Sequence, residues 1–194
     1  TQDAVLAAGG YMGGASTLTE EYDGTSWTAG GAMIIQKFSH ASAGTQNAGL
    51  VVGGRSPSTL SATEEYNGST WASGGNLITA RFGIAGTGEQ DSGLFFGGFN
   101  GSNRTSTEEY NGSAWSSGGG LGTARRDLAG TGTQNAGLAF GGQTNASTNA
   151  TEEYNGSSWS TGGSLITSTR GIQGAGTQYA SLAFGGTIPS VTTN

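Results

Sequence analysis

Short apolar runs of strand length alternate with polar, turn-forming segments along the whole chain. Between Arg81 and Gly120, Phe82-Gly-Ile-Ala-Gly-Thr87 is small and apolar and ends in the turn sequence Gly88-Glu89-Gln90-Asp91. Gly93-Leu-Phe-Phe-Gly-Gly98 is a continuous apolar run closed by a diglycine, and the eight-residue polar segment Phe99 to Ser106 follows it. Thr107-Glu-Glu-Tyr110 leads into Asn111-Gly112, a strong short hairpin signal, and Ser113-Ala-Trp115-Ser116 begins the return strand before Gly118-Gly119-Gly120. The pattern predicts four short strands. No helix competes, because apolar residues do not recur at i, i+3, i+4 and i+7, and each interior glycine costs a helix about 1 kcal/mol relative to alanine.

This unit recurs every 44 residues without insertion or deletion. Trp27, Trp71, Trp115 and Trp159 keep the step, as do Tyr22, Tyr66, Tyr110 and Tyr154. The diglycines at 9–10, 53–54, 97–98, 141–142 and 185–186 keep it too, with Gln2, Gln46, Gln90, Gln134 and Gln178. Such a period marks one supersecondary unit that buries its apolar face against the next copy. Residues 1–194 therefore read as a single all-β array. Four antiparallel strands per unit is the arithmetic of a β-propeller blade.

Composition narrows the function. Glycine supplies 39 of the 194 residues, yet the periodic aromatics argue for a folded chain. Eight of the thirteen acids are the Glu-Glu pairs at 20/21, 64/65, 108/109 and 152/153, the origin of the net charge of −6. Seven Lys and Arg residues, spread along the chain, make no basic stripe, so no nucleic acid is expected as partner. No apolar run reaches the ~18–20 residues of a membrane span, so no membrane insertion is expected. The absence of cysteine excludes disulfides and thiolate metal sites. With no signal peptide and an opening at Thr1 inside a repeat, the sequence has the form of an excerpt or a processed product.

A WD40 reading wants Gly-His and Trp-Asp dipeptides, but each Trp precedes Thr, Ala or Ser, and His40 is the single histidine. The order Gly53-Gly54, Glu64-Glu65-Tyr66, Trp71, Arg81, repeated as Gly97-Gly98, Glu108-Glu109-Tyr110, Trp115, Arg125, resembles the kelch repeat across essentially the whole chain. The Tyr-to-Trp spacing is tighter than in kelch repeats, and the Arg becomes Lys37 in the first copy and slips to Arg170 in the last. The resemblance implies a propeller of kelch-like four-stranded blades, about five nominal blades with incomplete terminal ones. The tract 132–142 with Ala150-Thr-Glu-Glu-Tyr-Asn-Gly-Ser-Ser-Trp159 looks like repeats in structural and tail-fibre-like proteins of marine bacteriophages. That likeness implies a virion or extracellular location. It also implies a host-surface glycan or protein, or other virion proteins, as partner, with self-association through the open terminal blades.

The repeated residues read as architecture. The four Trp and four Tyr are expected to pack between blades. In a strand the two Glu of a pair point to opposite faces, so they cannot flank one scissile bond, and pairing of Glu64 and its equivalents with Lys37, Arg81 or Arg125 is the economical account. The diglycines permit backbone conformations or close approach closed to other residues. No Gly-Lys-Ser/Thr follows them, so they are not phosphate loops. Copper oxidases on kelch-like propellers use a cysteine-linked tyrosine and histidine ligands, which this composition cannot supply. No catalytic residue, metal or cofactor is expected.

Two segments differ between copies. The eight residues after each diglycine read YMGGASTL, RSPSTLSA, FNGSNRTS, QTNASTNA and TIPSVTTN. The second patch surrounds the cation: 36–40, 80–84, 124–128 and 168–172. In a four-stranded meander, the strand 2–3 loop and the strand 4–1 connection emerge on one face, opposite the uniform Gly-Thr-Gln and Asn-Gly-Ser turns. Loops on a rigid scaffold carry binding. The candidate ligand-binding residues are Tyr11, Arg55, Phe99, Asn100, Asn103, Arg104, Gln143 and Asn145, with Lys37, His40, Arg81, Arg125 and Arg126 from the second patch. A non-enzymatic module attaching to a host surface or glycan is the leading expectation. A secreted or surface bacterial kelch-like protein-interaction domain is the alternative, and a glycan-active enzyme a third reading.

Overall fold

The computed structural model describes residues 3–188, and Gln2 and residues 189–194 of the last divergent segment lie outside them. Among the described residues there is no helix. The first sheet has three strands, β1 (Val5–Ala8), β2 (Thr19–Tyr22) and β3 (Trp27–Ala29). The second has four, β4 (Ala41–Thr45), β5 (Ala48–Val52), β8 (Thr63–Tyr66) and β9 (Trp71–Ser73), with the small ladder β6 (Arg55–Ser56) and β7 (Ser58–Thr59) inserted. The third is β10 (Ala85–Glu89), β11 (Ser92–Phe96), β12 (Thr107–Tyr110) and β13 (Trp115–Ser117). The fourth is β14 (Ala129–Thr133), β15 (Ala136–Phe140), β16 (Thr151–Tyr154) and β17 (Trp159–Thr161). The two strands β18 (Arg170–Gly176) and β19 (Ser181–Thr187) end the array. Each sheet is an antiparallel meander in chain order, a propeller-like repeat.

The Asn-Gly turn differs from a two-residue hairpin. Tyr66 pairs with Trp71, so residues 67–70 form the loop. Asn67 Oδ1 accepts the amides of Ser69 (3.0 Å) and Thr70 (2.9 Å), and Gly68 takes a φ of 87°. The side chain thus closes a longer loop than the dipeptide signals.

The inner strands β4, β10, β14 and β18 lie side by side, and Ser42, Gly86, Gly130 and Gly174 border a narrow channel of about 190 Å³. A chain of backbone bonds runs beside it. The Gly83 amide donates to Ser39 O (2.9 Å), Asp127 to Gly83 O (2.8 Å) and Gly171 to Asp127 O (2.8 Å). These four equivalent residues are all left-handed, with φ of 53°, 61°, 53° and 61° from Ser39 to Gly171. Glycine takes that region freely and aspartate tolerates it, while a non-glycine residue there is uncommon.

Three further kinds of contact, spanning 24 to 52 residues of chain, join the sheets. The indole N–H of Trp71 donates to Thr19 Oγ1 (2.9 Å), of Trp115 to Thr63 Oγ1 (3.1 Å) and of Trp159 to Thr107 Oγ1 (2.9 Å). The hydroxyls of Tyr66, Tyr110 and Tyr154 donate to Glu21, Glu65 and Glu109 of the preceding sheet. Burial first, and then this bond, pushes the Tyr110 and Tyr154 phenols up to about 12, so they stay protonated donors. The side-chain amide of Gln90 reaches Gly49 O (2.9 Å) and Tyr66 O (2.8 Å), and Gln46, Gln134 and Gln178 repeat the reach. Between these polar seams Leu50, Val52, Phe95 and Tyr110 form one apolar core, and Leu94, Phe96, Ala139 and Tyr154 the next.

The tryptophans therefore pack between sheets wherever a preceding sheet exists. Trp27 is the exception. It stacks on Tyr22 at 5.2 Å but is 50 % exposed, because among the described residues no sheet precedes it.

The close approach of sheets is visible at glycines. A Cβ on Gly31, Gly75 or Gly119 would press into the carbonyl oxygen of Ser69, Ser113 or Ser157 in the following repeat, whereas Gly163 has open space. Gly75→Ala should lower stability by roughly 1–3 kcal/mol through overpacking, and Gly163→Ala should not. Urea unfolding midpoints compare the two, and equal losses would refute this account of the seam.

Candidate binding face

The eight-residue segments fold back as small hairpins. Arg55 pairs with Thr59, Tyr11 with Ala15, Phe99 with Asn103 and Gln143 with Ser147. The second divergent patch then bridges onto them: Phe38 with Arg55, Phe82 with Phe99, Arg126 with Gln143. Both divergent segments thus meet on one face. On the other, the strand 1–2 turn meets the strand 3–4 turn, with Gly68 against Asn47, Gly112 against Asp91 and Gly156 against Asn135.

The bridges set up a continuous row of rings and guanidinium groups. Tyr11 meets Phe38 edge-on at 5.1 Å. The Arg55 guanidinium lies 5.0 Å from the Phe38 ring and 5.1 Å from Phe82. Phe82 and Phe99 are 5.5 Å apart, and Arg126 covers Phe99 at 4.6 Å. Each cation–π contact contributes on the order of 0.5–2 kcal/mol at such half-buried sites, and together they tie the row to the scaffold.

Amides extend the row at its far end. Arg126 donates to Asn103 Oδ1 (3.2 Å) and Gln143 Oε1 (3.1 Å) and lies 3.4 Å from Asp127. Asn103 Nδ2 donates to the carbonyls of Gln143 (3.2 Å) and Thr144 (3.0 Å), so a loop of one repeat is tied to the next. Arg104 Nε is held by Asn100 Oδ1 at 2.5 Å. An open depression of about 640 Å³ is bordered by Phe99, Asn103, Arg126, Gln143, Thr144 and Asn145. A second, of about 320 Å³, has Tyr11, Gln36, Phe38, Arg55 and Pro57 at its rim.

Three expected face residues are elsewhere. Lys37, Arg81 and Arg125 are 0 % exposed. Lys37 Nζ is 2.8 Å from Glu64 Oε1, Arg81 pairs with Glu108 and Arg125 with Glu152. Each carboxylate also accepts backbone amides of the preceding repeat, Glu64 from Ile34 (2.6 Å) and Ile35 (3.3 Å), Glu108 from Ile78 (2.7 Å). Burial pulls the Lys37 ammonium below its ordinary value, and Glu64 opposes that pull. These cations are sheet-to-sheet struts, as the Glu pairing expected, and they are corrected as ligand contacts. Thr169 holds the equivalent place in the last copy and bonds to Thr187 O (3.3 Å). His40 also leaves the face. Its ring packs against Gly9, and burial lowers it to about 4.

Phe38 and Phe82 were not among the candidates, although they complete the row. Their signal was an aromatic directly after the cation in the first two copies. Among the described residues no three His, Cys, Asp or Glu side chains converge as a metal would require. No protein-family model matches the chain, and no curated protein matches it.

Two outcomes follow from the buried groups. Arg81→Met should cost about 3–5 kcal/mol, because it strands the Glu108 carboxylate, and Arg81→Met with Glu108→Leu should recover much of that loss in a double-mutant cycle. For His40, the folded value of about 4 lies below the ordinary 6.5. The unfolded chain therefore binds the proton first, and stability present above pH 6.5 is lost as pH falls toward 4, by up to about 3 kcal/mol. Unfolding measured from pH 7 to 5 should show a slope that His40→Gln flattens; an unchanged slope counts against a buried neutral ring.

Proposed function

We propose that the chain is a non-enzymatic attachment module, a kelch-like β-propeller of about five nominal blades, whose divergent face binds a host-surface glycan. A virion tail or fibre, outside the cell, is the setting in which such a module works. The reading rests on one observation: the segments that differ between copies are those that build the ring-and-guanidinium row, while beneath them the same cation–glutamate strut recurs three times. A row of this kind suits sugars. Pyranose C–H faces stack on aromatic rings, and hydroxyls pair with amides such as Asn145 and Gln143, a few polar groups set in an apolar lining.

The depressions are open and shallow, which suits an extended polysaccharide gripped at several points. Affinity then comes from repetition along the row rather than from one deep pocket.

A glycan array probed with the purified chain tests the proposal. Binding to a restricted set of host polysaccharides is expected, with Phe99→Ala and Asn145→Ala weakening it by about tenfold or more. Ser69→Ala, on the opposite face, should leave it unchanged. Silence across host polysaccharides, or equal loss from both faces, would defeat the assignment.

A further inference from the structure

The chain is acidic as a whole, yet its charges are sorted by face. All seven Lys and Arg residues fall in the two divergent segments, and of the thirteen acids Asp127 alone falls there. Lys37, Arg81 and Arg125 are spent in the struts. Arg55, Arg104, Arg126 and Arg170 are left to the variable face. Asp23, Glu89 and Asp91 stand in or beside the turns of the opposite one. A molecule of net charge −6 thus turns a cationic field outward on the side that varies.

The positions of these cations matter as much as their number. Arg126 and Arg170 stand one residue after the strut position, where the first two copies carry Phe38 and Phe82. Arg55 opens its hairpin, where other copies carry Tyr11, Phe99 and Gln143. Guanidinium groups therefore take the places of rings within one row. Arg55 lies 5.0 Å from the Phe38 ring and 5.1 Å from Phe82, and its Nε is buried with no hydrogen-bond partner among the described residues. No carboxylate among them pairs with it, whereas Arg126 has Asp127 at 3.4 Å. A ring face attracts a guanidinium but does not neutralise it, and the planar fork suits a pair of anionic oxygens.

We propose that the ligand of this face is an acidic polysaccharide, its carboxylate or sulfate oxygens bound by Arg55 while sugar rings stack on Phe82 and Phe99. This rests on the glycan-binding reading of the face and narrows it from sugars in general to charged ones. Beyond Arg55 the row steps 5.5 Å from Phe82 to Phe99 and 4.6 Å on to Arg126, so a second cation follows two rings. A polymer whose charges recur along its length engages both cations at once, and half-burial spares these pairs part of the screening by salt. The acid-rich turns on the other side repel the same polymer, so it approaches by the variable face.

Calorimetry of the 194-residue protein with alginate and dextran sulfate, with their neutral counterparts carboxyl-reduced alginate and dextran, and with polyglutamate tests the inference. An acidic polysaccharide should bind at least about tenfold more tightly than its neutral counterpart, and less tightly as salt is raised. Alginate alone assigns carboxylates and dextran sulfate alone assigns sulfate esters; either supports the site. Arg55→Gln installs the residue of position 143, and Arg126→Phe the residue of positions 38 and 82, so both hairpin and connection accept the change. Each should keep its circular dichroism and weaken binding by about tenfold. Asp91→Asn, on the opposite face, installs the residue of positions 47 and 135 and should leave affinity unchanged. Binding of neutral glycans alone would overturn the acidic ligand and leave the glycan-binding reading standing, and silence from every glycan would remove both. Equal binding of polyglutamate, which has no sugar ring, or full affinity in both Arg variants would also overturn it.

Discussion

The structure depends on a contact that no repeat can make alone. Each buried cation on the strand 4–1 connection reaches a glutamate 27 residues later in the chain, in the next sheet: Lys37 to Glu64, Arg81 to Glu108, Arg125 to Glu152. A charge taken out of water costs several kcal/mol unless its partner stands in place, so each sheet has meaning only beside its neighbour. The backbone amides that bind the same carboxylates complete their hydrogen bonding and fix the position of the connection that carries the cation. The Trp–Thr, Tyr–Glu and Gln–carbonyl contacts, repeated from sheet to sheet, close the rest of the seam.

That rigidity has a functional counterpart. The residue after each cation, Phe38, Phe82 or Arg126, turns outward onto the face, while the cation itself turns inward. One connection therefore does two things. Its buried half locks the sheets, and its exposed half presents a ring or guanidinium to the outside. Variation in the exposed half leaves the lock untouched, which is how copies can differ in surface chemistry without differing in length.

The four-strand rhythm and the division into a variable and a uniform face were legible in the residues, because turn chemistry and apolar runs are local signals. Ala85, Ser92, Thr107 and Trp115 begin strands close to where the pattern predicts them. The fate of Lys37, Arg81 and Arg125 was half legible: their carboxylate partners could be named, but a cation within a divergent segment also reads as surface. The recurrence of a cation at that one position in three copies, amid changing neighbours, was the signal that it belongs to the lock. The exposure of Trp27 could not be read from its identity, since it depends on what stands beside its sheet. Nor do Ser39 and Asp127 announce a left-handed backbone; only their alignment with Gly83 and Gly171 hints at it.

Among the described residues seam contacts span between 24 and 52 residues of chain, and none spans the whole array. Such a molecule behaves as a one-dimensional cooperative system, in which order nucleates in an interior pair of sheets and propagates outward. The sheet with two neighbours is the last to open. Within the described array the outermost sheets, each held from one side, open first, and native-state fluctuations run inward from them as a fraying front.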